Sequence, residues 1–551
     1  MRIVAFLLLF LAALLPLKAQ TTISSQSPKH EVRAVWLTTL NGLDWPRTRG
    51  KEAQQQELIT ILDQLQQTGV NTVLFQTRVR ATTMYPSKIE PWDPVLAGGK
   101  HPGYDPLQLC IDECHKRGME CHAWVCTIPI GKWNRLGSQT FRKKYPKLVK
   151  RIGDESYMDP ENSETANYLS RICQEIVTNY DVDGIHLDYI RYPETWKLKV
   201  SRQKGRENIT RIVRAISQTV KREKPWVKLS CSPIGKYGNL TRYRSGGWDA
   251  LNAVCQDAQA WLRDGLMDQL YPMMYFQGNH FYPFAIDWQE KSYGRTVVPG
   301  LGIYFLDPKE GKWTLDVVER EMSVCRQIGM GHCYFRSKFF TDNVQGIYDF
   351  CQRFDRTPAL VPPMMWMNVA APTAPESLSI EGNMLRWTAA SDNSNAPHLF
   401  YNIYASRTFP VDVTRAEHIV ASRINDTQLL VPQNGMNYAV TAMNRYGVES
   451  EPAQLQLSFN MMYDAASIPA ESTSSMSLIA NNGRTLATPQ KPSTLDADFL
   501  VIETIQGKNI GVVPYAKTLD ISALPDGLYQ LRSLGKKGRN HRLGLFQIRR
   551  Q

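Results

Sequence analysis

The chain has 551 residues, which is too long for a single hydrophobic core and predicts two to four domains. Its hydrophobic fraction of 43% and charged fraction of 21% are typical of a folded soluble protein. The net charge of +12 suits an anionic polymer as a partner and equally suits a plain solvated surface, whereas no helix-turn-helix or RNA-binding pattern supports a nucleic-acid partner.

Residues 1–20, MRIVAFLLLFLAALLPLKAQ, predict a secretory signal peptide. Arg2 supplies the positive start, residues 3–15 form the apolar region, and residues 17–20 offer a cleavage site. The apolar run is too short for a typical membrane span, and no later segment has about 20 unbroken apolar residues. We therefore expect an exported protein, periplasmic, on the outer cell surface or secreted, with no integral membrane segment after signal removal.

Short apolar segments alternate with amphipathic helical patterns from residue 30 to residue 355. Eight of these segments predict strands, at 32–38, 72–77, 120–127, 184–189, 228–232, 269–275, 297–303 and 331–336. Strands alternating with helices predict a parallel sheet, and eight such units favour an α/β fold, a (β/α)8 barrel of the TIM type. A doubly wound open sheet is the alternative, but no GxGxxG follows the first strand, so a dinucleotide site is not expected.

The character of the sequence changes after the predicted barrel. Residues 356–375 are rich in proline and predict a linker. Residues 376–459 contain short alternating strands around Trp387 and Tyr438 and predict a β-sandwich. This stretch resembles a fibronectin type III domain, which implies a spacer or binding module.

The C-terminal part of the chain predicts two further segments. Residues 460–495 are rich in Ser, Ala, Asn, Thr and Pro and predict a flexible linker. Residues 496–551 return to a strand pattern with turns, and they are similar to the small C-terminal β-sandwich of many exported proteins. We therefore expect a small β domain at this end of the chain.

All ten cysteines lie between Cys110 and Cys351. None has the CxxC or HxxxH spacing of a structural zinc site, so we expect neither a metal nor another cofactor. Export would permit disulfides, but several of these cysteines fall in strands that are predicted to be buried. Most of them are therefore expected to be buried free thiols.

Residues 183–193, DGIHLDYIRYP, end the fourth predicted strand on an ionisable side chain, Asp188. Because strand side chains alternate, His186 and Asp188 should point into the barrel, with Asp188 at the carboxyl end, where active sites of such barrels lie. The same alternation directs four further side chains into the barrel: Arg78, His122, Trp124 and Tyr275. Each alone is more often a packing residue, and their convergence on one rim is the functional signal.

Five motifs carry a resemblance to a known family. They are EVRAVWLTT, FQTRVRATTMYPSKIEPW, HAWVCTIP, DVDGIHLDYIRYP and LYPMMY, at residues 31–39, 75–92, 122–129, 181–193 and 270–275. Together they resemble the glycosyl hydrolase-like 10 family over residues 30–355. The resemblance implies an exported glycosidase on a (β/α)8 barrel, and the family includes an envelope enzyme that cuts peptidoglycan strands stripped of peptides. Asp188 matches the family aspartate, whereas Tyr189 stands where many members have a second Asp.

Glycoside hydrolysis usually needs two carboxyl groups, an acid and a nucleophile or base. We expect Asp188 to be one and Glu90, in the loop after the second strand, to be the other. Asp93, Asp44 and Glu194 remain alternatives. A substrate-assisted route with one acid is also open if the sugar carries an N-acetyl group. In that route Tyr275 would hold the acetamido group, and Arg78 or Arg191 would bind a carboxylate.

These observations predict a glycosidase that acts on an amino-sugar polysaccharide, most simply peptide-free peptidoglycan strands. Asp188 and Glu90 are the expected catalytic residues, and the expected substrate-binding residues are Arg78, His122, Trp124, His186, Arg191 and Tyr275. The alternatives are the same class of enzyme on an exopolysaccharide or host glycan, and a non-catalytic glycan-binding protein. A metal-dependent deacetylase would need a clustered His and Asp set, and a serine hydrolase would need a GxSxG elbow, which is absent.

Overall fold

The computed structural model describes residues 27–394, 396–432, 435–455, 479, 481, 484–488, 499–504, 509–522, 524–534 and 540–548. The expected signal peptide at 1–20 and most of the expected linker at 460–495 lie outside these residues. The chain divides into two compact units after Phe459.

Nine parallel strands form the central sheet of the first unit. They are β1 (Arg33–Leu37), β2 (Thr72–Arg78), β3 (Glu120–Cys126), β4 (Gly184–Asp188), β5 (Lys228–Cys231), β6 (Gln269–Leu270), β7 (Thr296–Val297), β8 (Gly300–Leu301) and β9 (His332–Tyr334). Their order is β7-β6-β5-β4-β3-β2-β1-β9-β8.

The two edge strands, β7 and β8, are successive pieces of one segment that Val298 and Pro299 interrupt. The first piece pairs with β6 and the second with β9, and Gly300 also pairs with Met273, which follows β6. The sheet therefore closes on itself, and the two pieces together make the seventh of eight barrel strands. The predicted (β/α)8 barrel is confirmed, and the doubly wound open sheet is wrong.

Helices surround the sheet and connect its strands. The α-helices are Lys51–Gln67, Pro94–Ala97, Pro106–Lys116, Leu136–Lys144, Glu164–Asn179, Arg202–Glu223, Ala258–Arg263, Tyr282–Glu290, Leu315–Gln327, Ser337–Thr341 and Ile347–Phe354. Short 3-10 turns are Leu40–Gly42, Pro146–Leu148, Gly278–His280, Ile303–Leu306, Val344–Gly346, Met365–Met367 and Ala416–His418. Local sequence sets some of these boundaries. Asp105, for example, accepts backbone hydrogen bonds from Leu107 and Gln108 and precedes a proline, which starts the helix there.

The core has an outer layer between sheet and helices and an inner layer inside the ring. Ile185 and Leu187 of β4 belong to the outer layer. The inner layer contains Trp36, Trp124 and Tyr271 together with small and aliphatic side chains. This division follows the alternation of strand side chains, as the sequence predicted for β4.

An excursion of residues 129–158 leaves the barrel directly after β3. It contains a three-stranded antiparallel sheet, Pro129–Lys132, Val149–Ile152 and Glu155–Met158, and the helix Leu136–Lys144. The strand pattern of the eight barrel units did not reveal it. We call residues 129–158 the excursion.

Two antiparallel sheets follow the barrel in the same unit. One has the order Glu376–Glu381, Met384–Thr388, Gln428–Leu430, and the other Ile419–Ile424, Phe400–Ser406, Asn437–Met443, Ala453–Leu455. Trp387, Tyr401 and Tyr438 pack together in their common core. The predicted sandwich architecture agrees with these sheets, and the fibronectin type III identification stays a prediction.

The second unit contains a four-stranded antiparallel sheet with the order Asn509–Pro514, Phe499–Thr504, Gly527–Leu534, Asn540–Ile548. A separate pair is formed by Thr485–Ala487 and Thr518–Asp520. Strand Thr485–Ala487 lies within the stretch that the sequence analysis treats as a linker. Over the described parts of the whole chain, no helix combines the length and the apolar character that a membrane crossing requires.

Glu321 is an unpaired carboxyl group in the helix Leu315–Gln327. It is fully buried, and neither of its oxygens has a hydrogen-bond partner among the described residues. Burial raises its pKa from 4.5 to about 9. The folded state therefore holds this group protonated at pH values where the unfolded chain would ionise it.

We expect Glu321→Met to stabilise the protein at alkaline pH. A raised carboxyl pKa weakens folding progressively as pH rises from 4.5 to about 9. At pH 8 the variant should gain roughly 3 kcal/mol or more over the wild type. Calorimetric unfolding between pH 4 and pH 9 would test this, and parallel loss of stability in both proteins over that range would contradict it.

Candidate active site

A cavity of about 540 Å³ opens at the carboxyl end of the barrel strands. Strands and loops from around the ring contribute its walls, which include Gln76, Trp124, Asp188, Glu194, Tyr275 and Arg336. This is the end at which (β/α)8 barrels carry their active sites. The cavity is therefore the candidate active site.

Asp188, the last residue of β4, lies in this cavity and is 6% exposed. Its Oδ1 accepts hydrogen bonds from the Tyr189 backbone N–H at 2.8 Å and from Ser232 Oγ at 2.8 Å. Its Oδ2 accepts one from Trp124 Nε1 at 3.1 Å and lies 4.0 Å from Cys126 Sγ, a weak donor. The side chain is thus fixed in place, and Oδ1 has the two shorter hydrogen bonds.

Burial raises the pKa of Asp188 above its ordinary value of 3.8. Arg191, whose Nη1 is 4.0 Å from Asp188 Oδ1, opposes this shift, as do the hydrogen bonds from Ser232, Tyr189 and Trp124. Burial outweighs them. A raised pKa is what a carboxyl group needs if it is to donate a proton near neutral pH.

Aromatic side chains form much of the remaining wall. Trp124, Tyr157, Tyr189 and Tyr275 all line the cavity. The Tyr275 hydroxyl is buried and has no hydrogen-bond partner among the described residues. Buried polar groups are normally satisfied, so this hydroxyl is a candidate donor to a ligand. Flat apolar rings beside polar donors suit a sugar, which has both apolar faces and hydroxyl groups.

Two further carboxylates, Glu194 and Glu155, line the cavity with Asp188. Glu194 Oε1 accepts hydrogen bonds from Arg191 Nε at 3.0 Å and Nη2 at 2.8 Å. The same guanidinium therefore lies between Glu194 and Asp188. Glu155 comes from the excursion, is partly exposed, and lies 3.9 Å from Arg80 Nη1.

The structure places Arg78 and Glu90 away from the cavity. The register of β2 against β3 shifts between Gln76 and Arg78, and this irregularity breaks the alternation from which Arg78 was expected at the rim. Arg78 instead pairs with Glu90 through bonds of 2.8 and 2.7 Å, and Tyr168 donates to Glu90 at 2.8 Å. Both Glu90 oxygens have hydrogen-bond partners, and Glu90 does not line the cavity, so its position does not support the expected catalytic role.

His122 and His186 point into the barrel, as expected, but neither lines the cavity. His186 contacts Ser230 Oγ at 2.9 Å and accepts from Trp36 Nε1 at 3.2 Å. Burial lowers the pKa of His186 well below its ordinary value, so the ring is neutral. His122 contacts Glu120 at 3.0 Å. Both imidazoles belong to the barrel interior below the cavity.

The other acidic candidates are also engaged elsewhere. Asp44 forms an ion pair with Arg336 and accepts from the Thr38 N–H at 3.0 Å, and burial raises its pKa to about 6. Asp93 caps the helix Pro94–Ala97 and accepts from Thr82 at 2.6 Å. Neither lines the cavity. Asp44 nevertheless pairs with Arg336, which is a residue of the cavity wall.

All ten cysteines are buried free thiols. Three of them, Cys110, Cys114 and Cys121, bring their sulfur atoms within 4.8 Å of one another, and they are the one group in the described chain with such metal-ligand spacing. None of the three lines the cavity. They pack in the outer core layer, so they have no part in the candidate active site.

Sequence reasoning missed Glu155, Arg80 and Arg336 as cavity residues. Arg80 and Glu155 lie in segments that follow barrel strands irregularly, where alternation gives no direction. Arg336 ends the eighth predicted strand segment, and its charge at a strand end is the signal that would have found it. Trp124, Asp188 and Tyr275 lie in the cavity as expected.

Comparison with known proteins agrees with these features. The family model described as Glycosyl hydrolase-like 10 matches residues 31–204 and 198–305. The chain is 28% identical over 508 residues to glycosyl hydrolase YngK of Bacillus subtilis (strain 168), across 82% of this chain and 98% of that protein. It is 32% identical over 303 residues to glycosyl hydrolase DigH of Escherichia coli (strain K12), across 47% of this chain and 69% of that protein.

Solved structures also include similar chains. The PgaB (BpsB) glycoside hydrolase domain from Bordetella bronchiseptica superposes with a TM-score of 0.44 and 12% identity, over 61% of this chain and 100% of that chain. The barrel assignment stands on the strand order of the present chain itself.

We expect Glu90→Gln to destabilise the protein, because it leaves the buried Arg78 guanidinium without its charge partner. The loss should be about 3–5 kcal/mol, measured as a lower unfolding midpoint. Adding Arg78→Met to the same chain removes the unpaired charge and should recover much of this loss. A Glu90→Gln variant that unfolds at the wild-type midpoint would contradict the structural role and return Glu90 to the candidate catalytic residues.

Proposed function

We propose that this protein, which belongs to the glycosyl hydrolase-like 10 family and is a glycoside hydrolase, cleaves an amino-sugar polysaccharide with Asp188 as its general acid. The observation that carries the proposal is the position of Asp188 in the cavity with a pKa raised by burial. A protonated carboxyl group beside aromatic walls can deliver its proton to a bound glycosidic oxygen.

The reaction follows from the contacts of the two carboxylate oxygens. Oδ1 accepts the two shorter hydrogen bonds, whereas Oδ2 has the longer contacts from Trp124 and Cys126, so we assign the proton to Oδ2. Transfer of this proton to the glycosidic oxygen lets the bond to the anomeric carbon break, and positive charge develops on the sugar. A second group must then stabilise or attack that carbon, and water completes the hydrolysis.

We assign the role of second carboxylate to Glu194. It lines the cavity, and Arg191 contacts it and also lies 4.0 Å from Asp188. The guanidinium fixes Glu194 and keeps one of its oxygens oriented. Glu155 is the competing carboxylate because it lines the same cavity from the excursion. The substrate-assisted route stands if neither is required, with the Tyr275 hydroxyl then available to hold an acetamido group.

The substrate that we propose is the peptide-free glycan strand of peptidoglycan. This choice rests on the family resemblance of the motifs around Asp188, and two features of the cavity support it. Arg80 and Arg336 place guanidinium groups at its wall, where they can pair with a lactyl carboxylate. The unpaired Tyr275 hydroxyl can meet an N-acetyl group. The N-terminal signal would deliver the enzyme to the cell envelope.

Asp188→Asn should reduce turnover of purified peptide-free glycan strands by about 100-fold to 10,000-fold, the usual contribution of a general acid. Asp112→Asn is a suitable control, because Asp112 is exposed on the helix Pro106–Lys116. Released fragments, analysed by mass spectrometry, give both the rate and the bond that is cut. In the wild type, turnover should fall as pH rises through the raised pKa of Asp188, since the acid must be protonated.

Full turnover in Asp188→Asn would remove the acid assignment. Wild-type protein that binds the strands without releasing fragments would instead favour a glycan-binding role. Cleavage of an exopolysaccharide or host glycan, with no action on peptidoglycan strands, would replace the substrate and keep the mechanism.

Glu194→Gln should also lower turnover by at least about 100-fold, while the matched variant Glu155→Gln should keep most of the activity. Both changes are isosteric and remove one charge from the same cavity, so the comparison separates a reacting group from general electrostatics. The reverse result would transfer the role to Glu155. Activity in both variants would favour the substrate-assisted route over Glu194.

A further inference from the structure

The excursion carries half of the excess positive charge of this protein. Between residues 132 and 151 the sequence has eight basic residues and no acidic residue, and the whole chain has a net charge of +12. Seven of these eight side chains are exposed, and only Arg142 is half-buried. Such a concentration of positive charge next to the cavity needs a physical explanation.

Helix and aromatic contacts explain only part of it. Arg142, Lys143 and Lys144 lie in the last turn of the helix Leu136–Lys144, where cations offset the helix dipole. Arg142 and Arg151 stack on the Trp133 ring at 3.6 and 4.5 Å. Neither explanation covers Lys132 and Lys150, which lie on the strands of the excursion.

Strand register places two lysines beside the cavity wall. Glu155 and Tyr157 line the cavity from the last strand of the excursion. Lys132 is directly opposite Glu155, and Lys150 is directly opposite Tyr157 on the other side. Because directly opposite residues share a face of a sheet, both ammonium groups lie on the face that carries the two wall residues.

Arg80 continues this positive face into the cavity. It lines the cavity itself, and its Nη1 lies 3.9 Å from Glu155 Oε1. Arg80 also packs closely against Gly131 of the excursion. A Cβ atom added to this glycine would lie only 3.2 Å from Arg80 Cβ. Three cations, Arg80, Lys132 and Lys150, therefore flank one side of the cavity.

These cations remain available to a ligand. The nearest carboxylates are Asp154 at 3.9 Å from Lys132 and Asp159 at 3.1 Å from Lys150. Both lysine side chains are more than half exposed, and exposed pairs of this kind contribute little. An arriving anion can therefore compete for either ammonium group.

We propose that Arg80, Lys132 and Lys150 form a subsite for the carboxylate groups of an acidic glycan strand that continues from the cavity along the excursion. The inference rests on the proposed function, because it takes the cavity to hold a glycan. An acidic glycan is the occupant that fits best, since the positive face is continuous with a wall of aromatic rings and carboxylates. The subsite would select for carboxylated sugars next to the cleaved bond.

Binding measurements on the full chain test the subsite, with Asp188→Asn present to prevent cleavage. The probes are peptide-free peptidoglycan strands and the same strands with their carboxylates amidated. We expect amidation, or the change Lys132→Glu with Lys150→Glu, to weaken binding roughly tenfold. Raising the salt concentration should weaken binding of native strands more than that of amidated strands. The control pair Lys51→Glu with Lys204→Glu, on outer helices away from the cavity wall, should bind as the parent does.

A second pair of probes separates this inference from the proposed substrate. If the parent binds no peptidoglycan strand, that substrate fails, and polygalacturonate and dextran then test the subsite alone. Preference for polygalacturonate that disappears in the Lys132 and Lys150 variant supports the subsite. Equal binding of charged and uncharged strands, or equal binding by the test and control variants, overturns it.

Discussion

Two buried carboxylates, Glu120 and Asp183, lie at the amino-terminal end of the barrel. Their need for cationic partners joins the barrel to the β-sheets that follow it. Lys228 contacts Glu120 at 2.7 Å, and Arg423 reaches Asp183 at 2.6 Å and Glu120 at 3.3 Å. Arg445 adds a contact to Asp183 at 3.5 Å. Arg423 lies in the strand Ile419–Ile424, and Arg445 lies in the turn after the strand Asn437–Met443, so both belong to the region that follows the barrel. Without them, buried charge would be left unpaired at a cost of several kcal/mol, so these sheets complete the barrel as a folded structure.

Two equally buried carboxyl groups, one at each end of the barrel, have pKa values that are shifted in opposite directions. Burial alone would raise the pKa of Asp183, but Arg423, His115 and Arg445 hold it well below the ordinary value. At the other end, burial raises the pKa of Asp188, and the cation Arg191, 4.0 Å away, does not offset this shift. Paired carboxylates therefore stabilise the amino-terminal end, and a poorly compensated carboxyl group is placed where a proton can be used.

Alternation along regular strands predicted much of this arrangement from the sequence. The apolar segments gave the eight strands, and alternation along them gave the inward direction of Asp188 and the wall positions of Trp124 and Tyr275. It failed at Arg78, because a register irregularity after Gln76 changes the direction of the following side chain. It also gave no position for Glu155, because the excursion forms its own sheet, whose pairing depends on contacts outside the eight strand and helix repeats. Regular strands and helices can thus be predicted from the sequence, whereas β-bulges and insertions are seen only in the folded structure.

Tyr189 shows why the second carboxylate should come from a loop. The family resemblance implies a second Asp directly after the strand aspartate, and the phenol of Tyr189, which stands there, cannot replace that group as an acid or base near neutral pH. Tyr189 has a φ of +53°, a left-handed conformation that costs about 1 kcal/mol or more outside glycine. This turn brings its N–H onto Asp188 Oδ1 and its ring under the Arg191 guanidinium, at 4.2 Å. Arg191 in turn holds Glu194 at the cavity wall. The strained residue thereby orients the loop that carries Glu194, the carboxylate that we propose as the second catalytic group.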